Sequence, residues 1–239
     1  MSSYVLSDLH GQYALFEKML EKIQFNKNDT LYMLGDAIDR GKEGIVILQK
    51  VMTMENCVFL LGNHEKMMLD VYVGGDVSPY EAERRWHRNG CAVTIEAYNQ
   101  LDQAAQTKLL EFLKQAPLQL DITVNHHDYR LVHGAPCLLS KEEYERTQGG
   151  SGLTYEEAFV WTRIGIDEVF EGPTVIVGHT PTPLITHQRP PMIWHGNNVI
   201  DIDCGCAMAQ SGGRLGCLRF DDGEEFYVSL EEIEADRKS

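Results

Sequence analysis

A short apolar run leads directly into an aspartate-bearing turn in the segment Leu31-Tyr32-Met33-Leu34-Gly35-Asp36-Ala37-Ile38-Asp39-Arg40-Gly41. The apolar residues 31–34 predict a buried strand, and the glycine beside Asp36 lets the backbone turn sharply after it. Open α/β sheets bind their ligands at the carboxyl ends of their strands. The segment therefore predicts an α/β fold with a polar site at one edge of a sheet.

The segments around this stretch alternate between strand and helix. Residues 4–7 and 57–61 predict two further short strands, and residues 11–25 and 45–54 predict the amphipathic helices between the strands. Short apolar strands separated by such helices are typical of parallel βαβ units. We therefore expect a parallel sheet in the first third of the chain, followed by a mostly helical stretch over residues 64–118.

The second half of the chain has a different pattern. Residues 118–124 and 129–132 predict a hairpin around the turn Asn125-His126-His127-Asp128. Four later predicted strands have little helix between them, and they cover residues 175–177, 199–202, 215–220 and 226–228. This pattern predicts a second sheet, mixed or antiparallel.

The composition is that of a folded, acidic protein. The 239 residues are 43% hydrophobic, and 36 acidic against 21 basic residues give a formal net charge of −15. Such a charge argues against a nucleic-acid partner or an anionic membrane partner, because both need a basic surface. Without an obvious linker, we read residues 1–230 as one domain and 231–239 as an acidic tail. The acidic segments 141–172 and 221–239 are expected to be a solvated loop and tail.

Targeting features are also missing from the sequence. The first residues lack the basic and apolar regions of a secretory signal, and no apolar stretch reaches the ~20 residues of a membrane-spanning helix. The six cysteines are scattered, which favours reduced thiols over disulfides. We therefore expect a cytoplasmic protein with no membrane partner.

Metal-capable side chains follow the predicted strands. The segments, besides the one that carries Asp36, are Ser7-Asp8-Leu9-His10-Gly11, Gly62-Asn63-His64-Glu65, His133-Gly134 and Gly178-His179-Thr180. Two carboxylates, one amide oxygen and three imidazoles come from Asp8, His10, Asp36, Asn63, His133 and His179. This mixed nitrogen and oxygen set suits manganese, iron or zinc. Six ligands fit two ions that share a bridge better than one open ion, and Asp36 is the natural bridge.

Together the segments resemble the calcineurin-like metallophosphoesterases, and within them the phosphoprotein phosphatase (Ser/Thr phosphatase) branch. The resemblance runs from Asp8 to about Asp203. Finer features are similar to the small bacterial and phage lambda-type protein phosphatases: Gly62-Asn63-His64-Glu65-Lys66-Met67-Met68, Trp86-His87-Arg88-Asn89-Gly90, Trp161-Thr162-Arg163, Gly178-His179-Thr180-Pro181 and Ile202-Asp203-Cys204-Gly205. The resemblance implies a central β-sandwich of two mixed sheets flanked by helices (αββα).

The resemblance also implies a division of the ligands between two divalent ions, expected to be Mn²⁺ with Fe or Zn as alternatives. One ion would be held by Asp8, His10 and Asp36. The other would be held by Asp36, Asn63, His133 and His179. Many relatives outside this branch carry a second histidine where this chain has Pro181, so the first ion would have three protein ligands.

Catalytic roles follow from the same resemblance. A metal-bridging hydroxide would attack phosphorus directly, and His64 would be the general acid, oriented by Asp39. Arg40 and Arg163 would hold phosphate oxygens. Arg163 rests on a short match, and a surface arginine is the alternative reading. For Asp203 two readings stay open, a partner behind the ligands or a turn aspartate, and neither Cys204 nor Cys206 is assigned a role.

Three functions are compatible with the sequence. The resemblance favours a serine/threonine protein phosphatase acting on a phosphorylated protein, a phosphopeptide or a small phosphoester. The alternative is a symmetrical dinucleoside tetraphosphate (Ap4A) hydrolase, and Gly178-His179-Thr180-Pro181 is more similar to the protein phosphatases. A catalytically dead scaffold is the third reading. The chain keeps every proposed ligand and His64, and this argues against a dead scaffold.

Overall fold

The computed structural model of the protein describes residues 1–75, 77–148 and 152–236, and its centre is formed by two five-stranded sheets. In chain order the strands are β1 (Ser3–Leu6), β2 (Thr30–Met33), β3 (Cys57–Phe59), β4 (Gln119–Val124), β5 (His127–Val132), β6 (Thr174–Val177), β7 (Trp194–His195), β8 (Val199–Asp201), β9 (Leu215–Arg219) and β10 (Glu225–Val228). The helices are α1 (Tyr13–Lys22), α2 (Gly44–Val51), α3 (Asn63–Tyr72), α4 (Pro79–Arg88), α5 (Ala92–Asn99), α6 (Gln103–Gln115), α7 (Lys141–Gln148), α8 (Tyr155–Trp161), α9 (Thr182–Thr186) and α10 (Leu230–Asp236).

The first sheet has the strand order β10-β9-β1-β2-β3. Strands β1, β2 and β3 are parallel, with Val5 opposite Tyr32 and Tyr32 opposite Val58. Helices α1 and α2 connect them, so the predicted βαβ pattern is confirmed. The predicted helical stretch that follows is confirmed as α3 to α6.

The strands predicted at residues 215–220 and 226–228 do not join the second sheet, and this part of the prediction was wrong. Strand β9 pairs antiparallel with β1, where Leu218 lies opposite Val5, and β10 extends the sheet beyond β9. Residues 215–218 are all buried, so β9 needs cover on both faces and a neighbour on both edges. The edge of β1 supplies that second neighbour.

The second sheet has the order β4-β5-β6-β8-β7 and is mixed, as predicted. Strands β4 and β5 form the predicted hairpin, and its turn residues Asn125 and His126 have φ values of 50° and 65°. Two consecutive residues with positive φ match the twist of the flanking strands. Strands β5, β6 and β8 run parallel to one another.

Three apolar clusters define the layers. The cluster between the sheets contains Val5 and Leu218 from the first sheet and Leu131 and Ile176 from the second. The other face of the first sheet packs on helices that include α1, α2, α3 and α6. The other face of the second sheet packs on α8. The predicted sandwich of two mixed sheets flanked by helices is therefore confirmed.

The acidic segment 141–172, predicted as a loop, contains helices α7 and α8 instead. Helix α8 begins at a capping box, in which Thr154 and Glu157 satisfy each other's backbone N–H groups, and it buries residues 158–160 in the core. The many glutamates of the segment made it look like a solvated loop, so its short apolar face was not predicted. Residues 149–151, in the same segment, lie outside the described residues.

The C-terminal segment also contains a helix where the sequence indicated a tail. Helix α10 lies on α1, with Glu232 paired to Lys22 at 2.9 Å and Ile233 packed against the core. A domain boundary at residue 230 stays a prediction, and residues 237–239 lie outside the described part of the chain. Among the helices of the described residues, none is long and apolar enough to cross a membrane.

Candidate functional site

Six side chains proposed as metal ligands lie at the carboxyl ends of strands from both sheets. Their places are Asp8 and His10 after β1, Asp36 after β2, Asn63 at the start of α3 after β3, His133 after β5 and His179 after β6. All six are buried. Because the two sheets pack face to face, strand ends that are distant in sequence meet at one edge of the sandwich.

The backbone of these turns is strained. Four of the ligand residues have φ values between 44° and 66°, namely Asp8, His10, Asp36 and His179. A residue with a side chain is disfavoured in this left-handed region by about 1–2 kcal/mol. Such conformations persist only where the surrounding structure holds them, and they cluster at functional sites.

Glu65 holds the turn that carries Asp36, and the sequence analysis did not assign it this role. Its carboxylate accepts N–H bonds from Asp36 at 2.8 Å and from Ala37 at 2.9 Å. It accepts two more from Ile38 and Gly62, each at 3.2 Å. The β2 turn is thereby tied to the start of α3. An acid three residues after the cap of a helix was the signal that could have revealed it.

His10 faces two carboxylates. Its Nε2 lies 3.8 Å from Asp8 Oδ1 and 3.6 Å from Asp36 Oδ2. Its Nδ1 lies 3.0 Å from the carbonyl oxygen of Ile38, which can only accept a hydrogen bond. The proton is therefore on Nδ1, and Nε2, beside the two carboxylates, accepts a hydrogen bond from Arg40 at 3.1 Å. A backbone partner of this kind fixes the orientation of a metal-binding histidine.

A second group lies on the other side of Asp36. Its Oδ1 is 3.4 Å from Nε2 of His133, which in turn is 2.9 Å from Oδ1 of Asn63. Nδ1 of His133 donates to the carbonyl oxygen of Leu34 at 2.5 Å. Donor atoms of Asp36, His133 and His179 all lie within 4.8 Å of one another.

His179 supplies a direct test of whether this group fits a metal. Its backbone N–H donates to Asp8 Oδ2 at 3.0 Å, but its buried Nε2 has no hydrogen-bond partner among the described residues. A buried polar atom without a partner costs free energy, so such atoms are rare in folded proteins. An ion coordinated by Nε2 would satisfy it.

The electrostatics of the cluster agree with cation binding. Burial lowers the pKa of His10, and burial together with the charge of His133 lowers the pKa of His179 to about 3. Both rings are therefore neutral, which is the form that coordinates metals. Burial opposes charge on His133, but Asp36 and Asp8 outweigh it and raise its pKa to about 10. The two carboxylates thus attract positive charge to this site.

Two candidate metal-binding groups share Asp36. Besides the group with His133 and His179, the donor atoms of His10, Asp36 and His64 lie within 4.8 Å of one another. This second group contains His64, the residue proposed above as the general acid. It does not contain Asp8. Oδ2 of Asp8 instead accepts the N–H of His179 and a hydrogen bond from Ser7 Oγ, while its Oδ1 faces His10. The donor set therefore offers two neighbouring places where a metal ion could bind.

His64 and Asp39 form a buried pair beside the ligands. Nδ1 of His64 lies 2.6 Å from Asp39 Oδ2, and both side chains are fully enclosed. Burial lowers the pKa of His64, but the carboxylates of Asp36 and Asp39 outweigh burial and raise it. The pair can therefore keep a proton on His64 next to the cluster.

The two arginines are both exposed at this edge. Arg40 extends its guanidinium to Nε2 of His10 and Nε2 of His64, each at 3.1 Å. The charge of Arg163 contributes to the lowered pKa of His179, after the larger effects of burial and His133. The structure therefore brings Arg40 into direct contact with the cluster and Arg163 into its electrostatic range.

Asp203 and the two nearby cysteines are buried behind the cluster. The Asp203 carboxylate accepts the N–H of Gly205 at 2.9 Å, which is the geometry of a turn aspartate. Burial, followed by the charge of Asp203, raises the pKa of Cys204 and of Cys206. Both thiols are therefore protonated, and neither is suited to metal coordination.

Comparisons with known proteins match most of the chain to one family. A family model described as calcineurin-like phosphoesterase matches residues 1–212. A symmetrical bis(5'-nucleosyl)-tetraphosphatase of Erwinia tasmaniensis is 41% identical over 76 residues, which are 31% of this chain and 28% of that protein. A serine/threonine-protein phosphatase 2 of Salmonella typhimurium is 30% identical over 131 residues, which are 54% of this chain and 56% of that protein. The matches thus span from about a quarter to about half of these relatives.

A solved structure of a putative diadenosine tetraphosphatase has the same fold. The two structures superimpose with a TM-score of 0.58. The superposition covers 95% of this chain and 93% of that chain, at 18% sequence identity. At this level of identity the likeness concerns the arrangement of sheets and helices alone.

Proposed function

The chain belongs to the calcineurin-like phosphoesterase family, and from this premise we propose that it is a metal-dependent phosphomonoester hydrolase with two divalent ions. The observation that carries the proposal is the pair of donor groups that share the buried Asp36. Asp8, whose Oδ1 lies 3.8 Å from Nε2 of His10, would join His10 and Asp36 around one ion, and His64 would act as the acid and not as a ligand. The second ion would be held by Asp36 together with Asn63, His133 and His179.

The mixed ligand set favours Mn²⁺, with Fe or Zn as alternatives. When bound, two such ions polarise the phosphate oxygens and lower the pKa of coordinated water. The chain's own contribution is to fix the ligands before the ions arrive. The carbonyl oxygens of Ile38 and Leu34 hold Nδ1 of His10 and His133, so both Nε2 atoms face the cluster.

His64 is proposed as the general acid. Asp39 holds its Nδ1–H at 2.6 Å, so that Nε2 points toward Asp36 and the cluster. Arg40 donates to the same nitrogen at 3.1 Å, and once that guanidinium holds the phosphate instead, a proton on Nε2 can pass to the oxygen of the leaving alcohol, which is a poor leaving group without it. The neighbouring carboxylates raise the pKa of His64 and keep that proton available.

Arg40 and Arg163 are proposed to bind the phosphate. Arg40 places two N–H groups at the rim of the cluster, where they meet His10 and His64. A planar guanidinium can hold two phosphate oxygens at once through charge-assisted bonds. Arg163 follows α8 and would approach from the side of His179.

The proposed substrates are proteins or peptides phosphorylated on serine or threonine. Two observations support this choice. The match to the Salmonella protein phosphatase extends over 131 residues, and the strand-end segment Gly178-His179-Thr180-Pro181 has the form that the sequence analysis associated with protein phosphatases. Small phosphomonoesters would be accepted at the same site.

A second candidate is hydrolysis of symmetrical dinucleoside tetraphosphates. The 41% identity to the Erwinia tetraphosphatase over 76 residues favours it. The proposed two-ion site would serve the hydrolysis of a phosphoanhydride bond as well as that of a phosphomonoester. The two candidates therefore differ in the substrate and not in the metal site.

A side-by-side assay with Mn²⁺ tests both. We expect phosphate release from a phosphoserine peptide and from p-nitrophenyl phosphate to exceed cleavage of diadenosine tetraphosphate. A clear preference for the dinucleotide would exclude the protein phosphatase in favour of the second candidate. No turnover of any of these esters with Mn²⁺, Fe²⁺ or Zn²⁺ would contradict enzymatic function as a whole.

A further inference from the structure

The turn that carries Asp39 and Arg40 has an unusual backbone. These consecutive residues have φ values of 68° and 66°, although neither is a glycine. Each is disfavoured in this region by about 1–2 kcal/mol. Other parts of the chain must therefore hold the turn in place.

The residues from α4 to α5 hold this backbone. The N–H of Asp39 donates to Thr94 Oγ1 at 3.0 Å, and the N–H of Arg40 donates to the carbonyl oxygen of Gly90 at 3.1 Å. Gly90 has a φ of 95°, and a Cβ at this position would come within 3.2 Å of Arg40 Cγ. The positive φ therefore favours glycine here, and a side chain would also crowd Arg40.

The same segment also holds the carboxylate of Asp39. Trp86 Nε1 donates to Oδ2 at 2.7 Å, and Thr94 Oγ1 donates to Oδ1 at 2.6 Å. His64 Nδ1 shares Oδ2 with Trp86. All four side chains are buried, so water does not compete for these bonds. With both oxygens occupied, the carboxylate cannot rotate away from His64.

We propose that Trp86, Gly90 and Thr94 are positioning residues that fix Asp39, and through it the imidazole of His64, in the orientation needed to protonate the leaving group. This inference rests on the proposed function, in which His64 is the acid. It assigns a role to the segment Trp86-His87-Arg88-Asn89-Gly90, which the metal site leaves unexplained. The helices α4 and α5, which lie between the strands of the first sheet and those of the second in chain order, then act on catalysis through Asp39.

Thr94→Val tests the proposal, because valine keeps the shape of threonine and removes both hydrogen bonds to Asp39. We expect kcat on the phosphoserine peptide to fall about tenfold or more, since an alcohol leaves only with a proton. On p-nitrophenyl phosphate, whose leaving group needs little protonation, kcat should fall much less. KM and bound metal should stay near wild-type values for both substrates.

Three further variants complete the test. Thr94→Ser retains the hydroxyl and should restore the wild-type ratio of the two activities. Trp86→Phe keeps a buried ring without the N–H and should reproduce the Thr94→Val pattern. Thr107→Val removes a hydroxyl on the exposed face of α6 and should change nothing.

A measurement independent of turnover is the downfield proton resonance of His64 Nδ1–H, assigned by its loss in His64→Asn. It should shift in Thr94→Val and stay unchanged in Thr107→Val. An unchanged resonance in Thr94→Val, or an equal loss of kcat on both substrates, would overturn the positioning role while wild-type turnover still supports the proposed function. A wild-type protein that turns over neither ester would instead overturn the proposed function, and the positioning role of Thr94 with it.

Discussion

His64 lies between two buried carboxylates, and its two ring nitrogens have different partners. Nδ1 is bonded to Asp39, whereas Nε2 lies 3.8 Å from Asp36 Oδ2 and contacts Arg40. Nδ1 is thus committed to orientation, and Nε2 would become available for proton transfer when Arg40, which can only donate to it, binds the phosphate instead. A ligand to an ion would instead place its Nε2 lone pair on the metal.

Replacement of His64 separates these two roles. In His64→Asn we expect kcat on a phosphoserine peptide to fall about 100-fold or more, with a smaller loss on p-nitrophenyl phosphate. The metal content, measured by atomic emission on the purified protein, should remain near the wild-type value. Asp36→Asn, which removes the shared carboxylate, should lose metal.

His126 provides a matched control for this substitution. It lies exposed at the tip of the β4–β5 hairpin, and His126→Asn should leave both activity and metal content unchanged. Full activity of His64→Asn on phosphoserine would exclude the acid role. Loss of metal in His64→Asn would instead indicate that His64 is a ligand.

At the level of single residues, the motifs indicated the residue types and missed some of their partners. The six proposed ligands and His64 could be picked out because each follows a strand beside a glycine or in a short motif. Trp86 and Thr94 could be placed only by the structure. Trp86 and Thr94 contact Asp39 across 47 and 55 residues of chain, and no local pattern encodes such a contact.

Helix α8 is attached to the helical layer by a charged pair. Glu157 Oε1 lies 2.5 Å from Arg85 Nη1, and the second nitrogen of Arg85 lies 3.3 Å from Asp70 Oδ2. Arg85 also lies over the ring of Trp161, 5.6 Å from its centroid. These contacts connect α3, α4 and α8, the helices that carry His64, Trp86 and the approach to Arg163.

Glu157→Gln tests this attachment. Burial would raise the pKa of Glu157, but the N–H of Thr154 and then the charge of Arg85 outweigh it and hold the pKa below its ordinary value of 4.5. The ionised form therefore stabilises the fold above pH 4.5, and this contribution is lost as the pH falls through the lowered pKa. At pH 7 we expect the free energy of unfolding to fall by about 2 kcal/mol.

Urea unfolding of wild type and variant across this pH range measures the effect. The difference between the two proteins should be largest at neutral pH and shrink below pH 4.5, because the glutamine does not titrate. Asp121→Asn, in the more exposed pair with Arg130, should cost less than about 1 kcal/mol. A difference that is small or independent of pH would contradict the role of the pair.

At the level of elements, patterns of apolar residues predicted most strands and helices. The predictions failed where charge dominated the local composition. The sequence predicts a loop where helix α8 lies, because the first turn of the helix contains Glu156 and Glu157, although the three residues after them, 158–160, are buried. An isolated segment does not show which neighbour will cover so short a face.

At the level of the whole molecule, the site gathers buried ionisable side chains at one edge of the sandwich. Two carboxylates and several imidazoles from both sheets converge there, so ions bound at the site would tie the strand ends of the two sheets together. Binding to the native state alone stabilises it by about 2.7 kcal/mol at a free-ion concentration of 100 times Kd.

Removal of metal should therefore lower the melting temperature. For a protein of this size we expect a Tm about 5–10 °C higher with excess Mn²⁺ than with a chelator. Differential scanning calorimetry with Mn²⁺ and with EDTA measures this shift, and Asp36→Asn should show little of it. Equal Tm values for the wild-type protein in both conditions would contradict a metal site that joins the two sheets.

The sequence by itself determined the alternation of strands and helices in the first sheet, the hairpin, and the polar residue types at the strand ends. These features depend on the periodicity of apolar residues and on turn chemistry, which act over a few neighbouring residues. The tertiary structure alone decided that β9 and β10 join the first sheet and that Trp86 and Thr94 reach Asp39. Those pairings depend on which distant surfaces pack together, because the burial of one segment is completed only by another.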